Sequence, residues 1–413
     1  MHPMKTTTPA LSGYPRADGR KGIRNVIVVA YLVECAHHVA REITLDFRHL
    51  EGDVQVHLVG FPGCFPNSYA ERMMTAIATH PNVGAALLVS LGCESMNKRK
   101  LEQAIADSGR PVATLTIQQR GGTRSTIAEG VAWVREMAAA LARQTRVPMA
   151  LSELVVGTIC GGSDGTSGIS ANPAVGRAFD MLIEDDATCI FEETGELVGC
   201  EFHMKRRAAT PELGEEIVAC VNKAARYYSI MGHGSFAPGN ADGGLSTIEE
   251  KSLGAYAKSG ASPIAGIIKP GDVPPFGGLY LLDVVPDGEP RFGFPNISDN
   301  AEIVELIACG SHVILFTTGR GSVVGSAVSP VIKVCANPET YRKLGEDMDV
   351  DAGRIIEGRG TLQEVAEEIY GQVRDVALGA PSKSEGLGHR EFILTYKSFE
   401  PIGPACMPAA RAA

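Results

Sequence analysis

The sequence predicts an α/β protein with two consecutive units, each containing a mostly parallel sheet with helices on both faces. Two observations lead to this fold class. Apolar runs without polar alternation recur along the chain, and amphipathic helical segments separate them. Loops rich in small residues follow these runs, and in open parallel sheets ligands bind beyond the carboxyl ends of the strands. We therefore expect the functional site at those ends.

The first unit spans residues 13–150 and alternates between the two element types. In chain order the predicted elements are strand 26–32, helix 37–50, strand 54–60, helix 68–80, strand 85–91, helix 97–109, strand 111–117 and helix 123–145. Apolar strands joined by helical crossovers pair in parallel, which predicts one parallel sheet for this unit.

The second unit spans residues 151–398 and begins after a boundary near 146–153. Its predicted elements are strand 155–160, helix 173–185, strand 187–193, helix 210–230, a turn and helix over 241–260, strands 278–285, 311–319 and 328–336, and helix 361–379. A loose leader over 1–12 precedes the first unit, and a Pro- and Ala-rich tail over 399–413 follows the second.

Composition and motif content exclude several functional classes. Hydrophobic residues make up 44% of the 413 residues, and the net charge of −10 comes from interspersed acidic and basic residues. No Lys/Arg run offers a surface for phosphates, so no nucleic acid partner is expected. No apolar stretch reaches the roughly 18 residues that span a bilayer, and no signal peptide is recognisable, so we expect a cytoplasmic protein without a membrane partner. No GxGxxG or Walker motif follows a strand, so no nucleotide cofactor is expected.

Five loops rich in Gly, Ser, Thr and Asn carry the polar residues of the predicted site. They are FPGCFPN (61–67), SLGCES (90–95), VVGTICGGSDGTSGISANP (155–173), APGNADGG (237–244) and FTTGRGSVVG (316–325). Any one of them could be a turn that needs glycine for tight geometry. Because four of the five follow an apolar run, their recurrence favours loops that converge on one small, oxygen-rich ligand.

Four of the ten cysteines lie at or just after the ends of predicted strands, and none of the ten forms a CxxC pair. These four are Cys35, Cys64, Cys93 and Cys160. They could meet in space although they are far apart in sequence. The alternative is four independently buried thiols, as predicted for the cysteines within apolar stretches, which are Cys189, Cys220, Cys309 and Cys335.

Nine ordered motifs resemble those of the altronate/galactarate dehydratase family. They are GYPRADGRKGIRN (13–25), SLGCE (90–94), GGTRSTIAEG (121–130), CGGSDGTSGISANP (160–173), ETGELVGCE (193–201), PGNADGGLSTIEEKSLG (238–254), FTTGRGSVVG (316–325), IKVCANPETY (332–341) and DMDVDAG (347–353). The resemblance covers about residues 13–380. It implies elimination of water from a sugar acid or related 2-hydroxy acid, aided by a divalent metal. The family includes the large subunit of sulfolactate sulfo-lyase, from which sulfite leaves instead of water.

The chain departs from the family pattern at several positions. The family usually has Pro at Gly195 and Lys at Ala241, the segment 284–296 differs, and His37 and His38 follow Cys35 in place of small or amide residues. The resemblance therefore does not carry over the identity of the substrate. The small N-terminal domain of full-length sugar-acid dehydratases is also missing, and we expect a separate small subunit to supply it.

A metal that aids this elimination needs ligands, and the resemblance implies iron, with zinc or manganese as alternatives. Candidate ligands are Cys35, His38, Cys64, Cys93, Glu94 and Cys160, because thiolate and imidazole suit iron or zinc better than magnesium. Because neighbouring helical residues point about 100° apart, we expect at most one of His37 and His38 to reach the site, and we favour His38. Alternatively, either histidine belongs to the surface or core, and Glu94 is a carboxylate at a helix start.

Elimination beside a carboxylate also needs a base and an acid. Glu193, Glu196 and Glu201 lie within nine residues after an apolar run, and clustered carboxylates raise one another's pKa toward neutrality. Asp164 and Lys251 are further candidates. A solvated loop edge would give the same acidic cluster, and Lys251 could simply pair with Glu249 or Glu250.

The substrate needs partners for its carboxylate and its hydroxyl groups. Arg24 and Arg320 suit a carboxylate, because guanidinium binds it in a bidentate manner. The candidates for the hydroxyl groups and for orientation are Asn25, Ser163, Asn172, Asn240 and Thr318.

Three functions remain open on these residues. The first is a metal-dependent dehydratase of a small anionic hydroxy acid, and the second is the large subunit of a carbon–sulfur lyase. The third is a sugar-acid-binding paralogue without catalysis. We expect a homo-oligomer in each case.

Overall fold

The computed structural model describes residues 11–231, 236–287, 298–394 and 396–397. Nearly all of the predicted leader and tail, and most of the divergent segment 284–296, lie outside these ranges. No helix within them is both long and apolar enough to cross a membrane.

Strands and helices alternate through most of the described chain. The strands are β1 (Leu11–Pro15), β2 (Lys21–Gly22), β3 (Asn25–Tyr31), β4 (Val54–Gly60), β5 (Val83–Ser90), β6 (Val112–Thr116), β7 (Val147–Met149), β8 (Val155–Cys160), β9 (Thr188–Phe191), β10 (Ile264–Ile268), β11 (Gly278–Leu282), β12 (Val313–Thr318), β13 (Val331–Cys335) and β14 (Val350–Asp351). The helices are α1 (Glu34–Leu45), α2 (Ser68–Ala78), α3 (Lys98–Asp107), α4 (Thr123–Leu141), α5 (Ala171–Glu184), α6 (Glu201–Lys205), α7 (Pro211–Met231), α8 (Pro238–Asp242), α9 (Ile248–Ala257), α10 (Asp299–Ala308), α11 (Pro338–Lys343), α12 (Leu362–Ala377) and α13 (Lys383–Leu387).

Two parallel sheets carry the fold, which confirms the predicted α/β class. The first has four strands in the order β4-β3-β5-β6, and the second has seven in the order β10-β11-β9-β8-β12-β13-β14. All eight residues of β5 are buried, as expected for a strand covered on both faces. In the larger sheet β9, β11 and β10 lie on one side of β8, and the later strands β12, β13 and β14 lie on the other side. The switch between β8 and β12 opens a crevice at the carboxyl edge.

A small antiparallel sheet, in the order β2-β1-β7, was not predicted from the sequence. Leu11 lies opposite Met149, so the start of the described chain pairs with the segment that links the two larger sheets. These strands have two to five residues and lack an apolar run, which explains why sequence periodicity does not reveal them.

The two larger sheets share a hydrophobic core. Met73 and Ile77 of α2 belong to one cluster of buried apolar side chains together with Ile303 and Ile307 of α10. Helix α10 was also missed by the sequence analysis, although Ser298 caps it by accepting a hydrogen bond from the Ala301 N–H. The shared core brings α10 of the larger sheet against the first sheet. The division of the chain at residues 150 and 151 remains a prediction.

Candidate active site

A cavity of about 350 Å³ opens at the carboxyl ends of β8, β9 and β12. Its position is the crevice expected where the strand order of a parallel sheet reverses. Its polar and titratable wall residues are Cys160, Ser163, Glu192, Glu193, Glu196, Tyr228, Asn240, Lys251, Ser298, Asp299, Glu302 and Arg320.

One thiol and two carboxylates meet in the wall of the cavity. Cys160 ends β8, and its Sγ lies 3.2 Å from an Oε1 of Glu193 and 3.5 Å from Oε2 of Glu196. The backbone N–H of Cys160 also donates to Glu193 Oε1, at 3.1 Å. Within the described residues this is the one group of three Cys, His, Asp or Glu side chains whose ligand atoms all lie within 4.8 Å of one another. The arrangement brings together three of the residues that the sequence analysis selected.

Each of the two carboxylates is paired with a lysine of α9. Lys251 lies inside this helix, and Lys258 directly follows its last residue. Lys251 forms an ion pair with Glu196, and Lys258 forms one with Glu193. The sequence analysis missed Lys258. Its spacing from Lys251 was a usable signal, because residues seven apart lie on the same face of a helix two turns apart. Glu193 and Glu196 are three residues apart in the sequence. Two lysines on one face of α9 therefore pair with two acids of one short segment.

Burial and neighbouring charge fix the protonation states of this group. Burial raises the pKa of the Cys160 thiol, and the negative charge of Glu196 raises it further, against the opposing effect of Lys258 and Lys251. Burial alone would lower the pKa of Lys251, but the charge and the hydrogen bond of Glu196 oppose it, and the net shift is upward. At neutral pH the thiol is therefore protonated, and Lys251 is a cation.

A second group of acids, which the sequence analysis missed, also lines the cavity. Burial and the charge of Glu196 raise the pKa of Asp299 to about 6. Burial is also the main cause that raises the pKa of Glu302 to about 8. Glu192 is nearly inaccessible, neither of its carboxyl oxygens has a hydrogen-bond partner among the described residues, and its pKa is raised well above the usual value. Asp299 and Glu302 follow a helix-capping serine, so in the sequence they look like ordinary first-turn acids.

Three of the predicted substrate-binding residues lie in the cavity wall. The Ser163 hydroxyl lies 3.2 Å from Cys160 Sγ, and Asn240 donates to the Ser163 carbonyl at 3.1 Å. Arg320 is exposed at the wall, where its guanidinium donates to the Gly239 carbonyl at 2.5 Å. Thr318 is fully buried at the end of β12, and its hydroxyl accepts from the Gly321 N–H at 2.9 Å.

Asp164 and Asn172 line an adjoining cavity of about 220 Å³, which shares Cys160, Ser163 and Lys251 with the first. Asp164 accepts hydrogen bonds from the Thr166 N–H at 2.9 Å and from the Asn337 amide at 3.0 Å. These contacts hold its own loop in place. The Asn172 amide donates to the Gly254 carbonyl at 2.9 Å.

The structure places Glu201, Arg24 and Asn25 outside both cavities. Glu201 begins α6 and accepts from the Gly199 N–H at 2.8 Å. Arg24 is buried in an ion pair with Glu385 at 2.7 Å, and Asn25 accepts from Arg16 at 3.0 Å. The contacts of Arg24 and Asn25 hold the first sheet against α13 and against the segment before β2. None of these three residues joins the thiol and the two carboxylates.

The remaining metal-ligand candidates lie beside the first sheet, in α1 and in the loops after β4 and β5. Cys35, Cys64 and Cys93 are exposed there, whereas Cys160 is buried in the larger sheet, so the four thiols do not share one site. His38 is exposed, with its Nδ1 4.0 Å from a carboxylate oxygen of Glu42. Glu94 accepts from the Gly92 N–H at 2.8 Å, beside Cys93.

Fold and cavity together define an α/β protein whose buried acids, lysines and thiol are suited to proton transfer. Two family models cover most of the chain. D-galactarate/Altronate dehydratase, C-terminal, matches residues 151–399, and D-galactarate dehydratase/Altronate hydrolase, second domain, matches residues 13–142. The chain belongs to the galactarate/altronate dehydratase family, which confirms the resemblance seen in its motifs.

The relatives of the chain are named as lyases of two kinds. It is 34% identical over 396 residues to the (2R)-sulfolactate sulfo-lyase subunit beta of Chromohalobacter salexigens, covering 93% of this chain and 96% of that one. It is 31% identical to the altronate dehydratase of Bacillus subtilis, covering 92% and 76%, and 32% identical to the galactarate dehydratase (L-threo-forming) of Escherichia coli, covering 89% and 72%. These relatives confirm the prediction of a lyase.

Proposed function

We propose that this chain is a lyase that removes the proton next to the carboxylate of a 2-hydroxy acid and expels a substituent from the neighbouring carbon. The observation that supports this most is the contact of Cys160 with Glu193 and Glu196, each acid paired with a lysine, in one cavity. Proton removal beside a carboxylate creates a second negative charge, and buried cations lower the cost of that charge.

The residues of the cavity fit the individual steps. In this scheme Arg320, exposed at the wall, binds the substrate carboxylate, and Lys251 stabilises the charge that develops on it. Glu196 is the base in this scheme, since one of its oxygens faces Lys251 and the other faces Cys160. Asp299 supplies a proton to a departing hydroxyl, because its pKa of about 6 keeps part of it protonated near neutrality.

As an alternative to the role of Glu196 as the base, the donor set of Cys160, Glu193 and Glu196 fits a divalent metal. One sulfur and two carboxylate oxygens within 4.8 Å suit Fe²⁺, with Zn²⁺ or Mn²⁺ as alternatives. Without the thiol proton, these three groups and the two lysines carry a net charge of −1, so a dication makes the site positive and suited to an anionic substrate. When bound, such an ion polarises the substrate carboxylate as a Lewis acid.

Two leaving groups are compatible with this scheme. We favour water, with a sugar acid or a related 2-hydroxy carboxylate as substrate, since the altronate and galactarate dehydratases are named for that reaction. Sulfite is the alternative, and a specific observation favours it. The chain is 34% identical to a (2R)-sulfolactate sulfo-lyase subunit beta, against 31% and 32% for the two dehydratases. In both cases the 2-hydroxy acid becomes a 2-oxo acid.

The assembly belongs to the same proposal. A relative named as subunit beta supports a second, smaller chain as a partner of this one. We further propose a homo-oligomer of the catalytic chain and two structural units divided near residue 150.

A substrate panel tests the proposal. The chain, prepared without oxygen and supplied with ferrous iron, is incubated with altronate, galactarate or (2R)-sulfolactate, and the 2-oxo acid and sulfite are measured. Product from one of these substrates is expected, with loss of about a hundredfold or more in Glu196→Gln and an unchanged rate in the control Glu201→Gln. Equal activity in both variants would contradict the assigned base. Binding of a sugar acid without turnover, even after addition of a small-subunit homologue, would favour the non-catalytic paralogue.

A further inference from the structure

We propose that Cys35, Cys64 and Cys93 bind an iron–sulfur cluster of the [4Fe–4S] class at the carboxyl edge of the four-stranded sheet. This site is separate from the cavity around Cys160, and the proposal does not rest on the proposed function. We call the three residues the thiol triad.

The thiol triad follows three adjacent strands. Cys35 lies in the first turn of α1, directly after β3, while Cys64 and Cys93 lie in the loops after β4 and β5. Because β4, β3 and β5 are neighbours in the sheet, these loops meet. The Glu34 N–H donates to the Pro62 carbonyl at 3.0 Å, and the Ser95 N–H donates to the Cys64 carbonyl at 2.8 Å. Backbone contacts next to the thiols therefore hold the three loops together.

The exposure of the thiol triad distinguishes it from the other cysteines. Six further cysteines lie in the described ranges, and all six are buried, whereas all three members of the triad are exposed. Free cysteine is among the most buried residue types, since an exposed thiol is prone to oxidation. Three exposed thiols at one edge of one sheet are difficult to explain by packing, and they are suited to a ligand.

The spacing of the thiols does not suit one ion bound by all three. Within the described residues no triad of sulfur atoms lies within 4.8 Å, so at least one pair in the thiol triad is farther apart. Two thiolates on a single ion, each with a bond of roughly 2.3 Å, lie at most about 4.6 Å apart. In an iron–sulfur cluster each thiolate binds its own iron, which allows a wider spacing. Three thiolates also leave one of four irons for a ligand other than cysteine.

Regular structure and a side-chain contact fix the positions of the segments that carry the thiols. Cys35 lies in the first turn of the twelve-residue helix α1. Phe65 is exposed directly after Cys64, and its carbonyl accepts from the Tyr396 hydroxyl at 2.5 Å. The Tyr396 contact anchors the loop that carries Cys64 to the end of the described chain.

Reconstitution of the full chain without oxygen, using equal amounts of ferric and ferrous iron together with sulfide, tests the proposal. We expect about four iron and about four acid-labile sulfide per chain, together with the visible charge-transfer absorption of a cluster. Each of the variants Cys35→Ser, Cys64→Ser and Cys93→Ser should lose most of this absorption. The matched control Cys220→Ser, which changes a buried cysteine of α7, should keep it. Circular dichroism melts show whether each variant is folded.

Three results would overturn the proposal. They are iron without acid-labile sulfide, absence of a cluster in the folded wild-type chain, and an unchanged cluster content in folded Cys35→Ser, Cys64→Ser and Cys93→Ser. The variant Cys160→Ser separates this proposal from the proposed function. It should keep the cluster absorption whether or not it retains lyase activity.

Discussion

Lys258 neutralises Glu193 at a point of backbone strain. Glu193 follows β9 with a φ of 85°, in the left-handed region that residues other than glycine rarely adopt. Its carboxylate is buried between the Lys258 ammonium and the backbone N–H and thiol of Cys160. The surrounding contacts therefore hold the acid in a conformation that the local chain would not choose.

Replacing Lys258 with Met should destabilise the protein by about 3–5 kcal/mol near neutral pH, because a buried carboxylate loses its partner. Urea unfolding near neutral pH measures this loss. The control is Lys205→Met, whose exposed pair with Glu215 should contribute no more than about 1 kcal/mol. Equal losses in the two variants would show that the Glu193 pair does not contribute to stability.

Asp299→Asn should lower the turnover rate by about a hundredfold or more, because an amide cannot donate the proton that a departing hydroxyl needs. In the wild type the rate should fall as the pH rises through about 6, since the protonated form of Asp299 is the donor. The variant should lose that dependence. Steady-state kinetics against pH test this, with Asp272→Asn, a surface residue 3.5 Å from Arg72, as the control. If sulfite is the leaving group, the variant should instead keep most of its rate.

Local patterns predict most of the fold and half of the site. Apolar runs reveal the strands that end at Cys160 and just before Glu193, because buried parallel strands lack polar alternation. Motif letters also reveal Glu196 and Lys251. The motifs do not show that Arg24 has a different role. Its guanidinium pairs with Glu385 of α13, but an arginine in a glycine-rich motif looks the same whether it binds substrate or holds the fold together.

The missed residues depend on tertiary contacts. Asp299 and Glu302 lie at the start of α10 and acquire their raised pKa values only because the fold buries them beside the cavity. Similarly, adjacent strand order decides that Cys35, Cys64 and Cys93 are neighbours while Cys160 lies on another sheet. Strand order depends on packing between distant segments, which single-sequence periodicity does not encode.

Gly195→Ala should destabilise the protein by about 1–3 kcal/mol, because a Cβ at this position would overlap the Tyr228 ring. The same contact gives a physical reason for glycine at this position. The double variant Gly195→Ala/Tyr228→Ala should be less destabilised than the sum of its single changes. Thermal melts of the four proteins provide this comparison, and strictly additive losses would show that the ring is not the obstacle.

Partly buried His57 should make stability depend on pH between 7 and 5. Its Nδ1 lies 2.5 Å from the Ala327 carbonyl and its Nε2 accepts from Arg390 at 3.0 Å, so the ring is neutral. Burial and the Arg390 charge lower its pKa to about 4. The unfolded chain, with an ordinary value of roughly 6.5, binds the proton first as the pH falls, so this residue removes about 2 kcal/mol of stability by pH 5.

The comparison of His57→Gln with the wild type isolates this effect from buried acids such as Glu302, whose raised pKa acts in the opposite direction. The difference in unfolding free energy between the two proteins should shift by about 2 kcal/mol in favour of the variant between pH 7 and pH 5. Chemical denaturation at several pH values gives this difference. His49→Gln changes an exposed histidine and should run parallel to the wild type throughout. A constant difference for His57→Gln would mean that the folded protein accepts a proton on His57 as readily as the unfolded chain does.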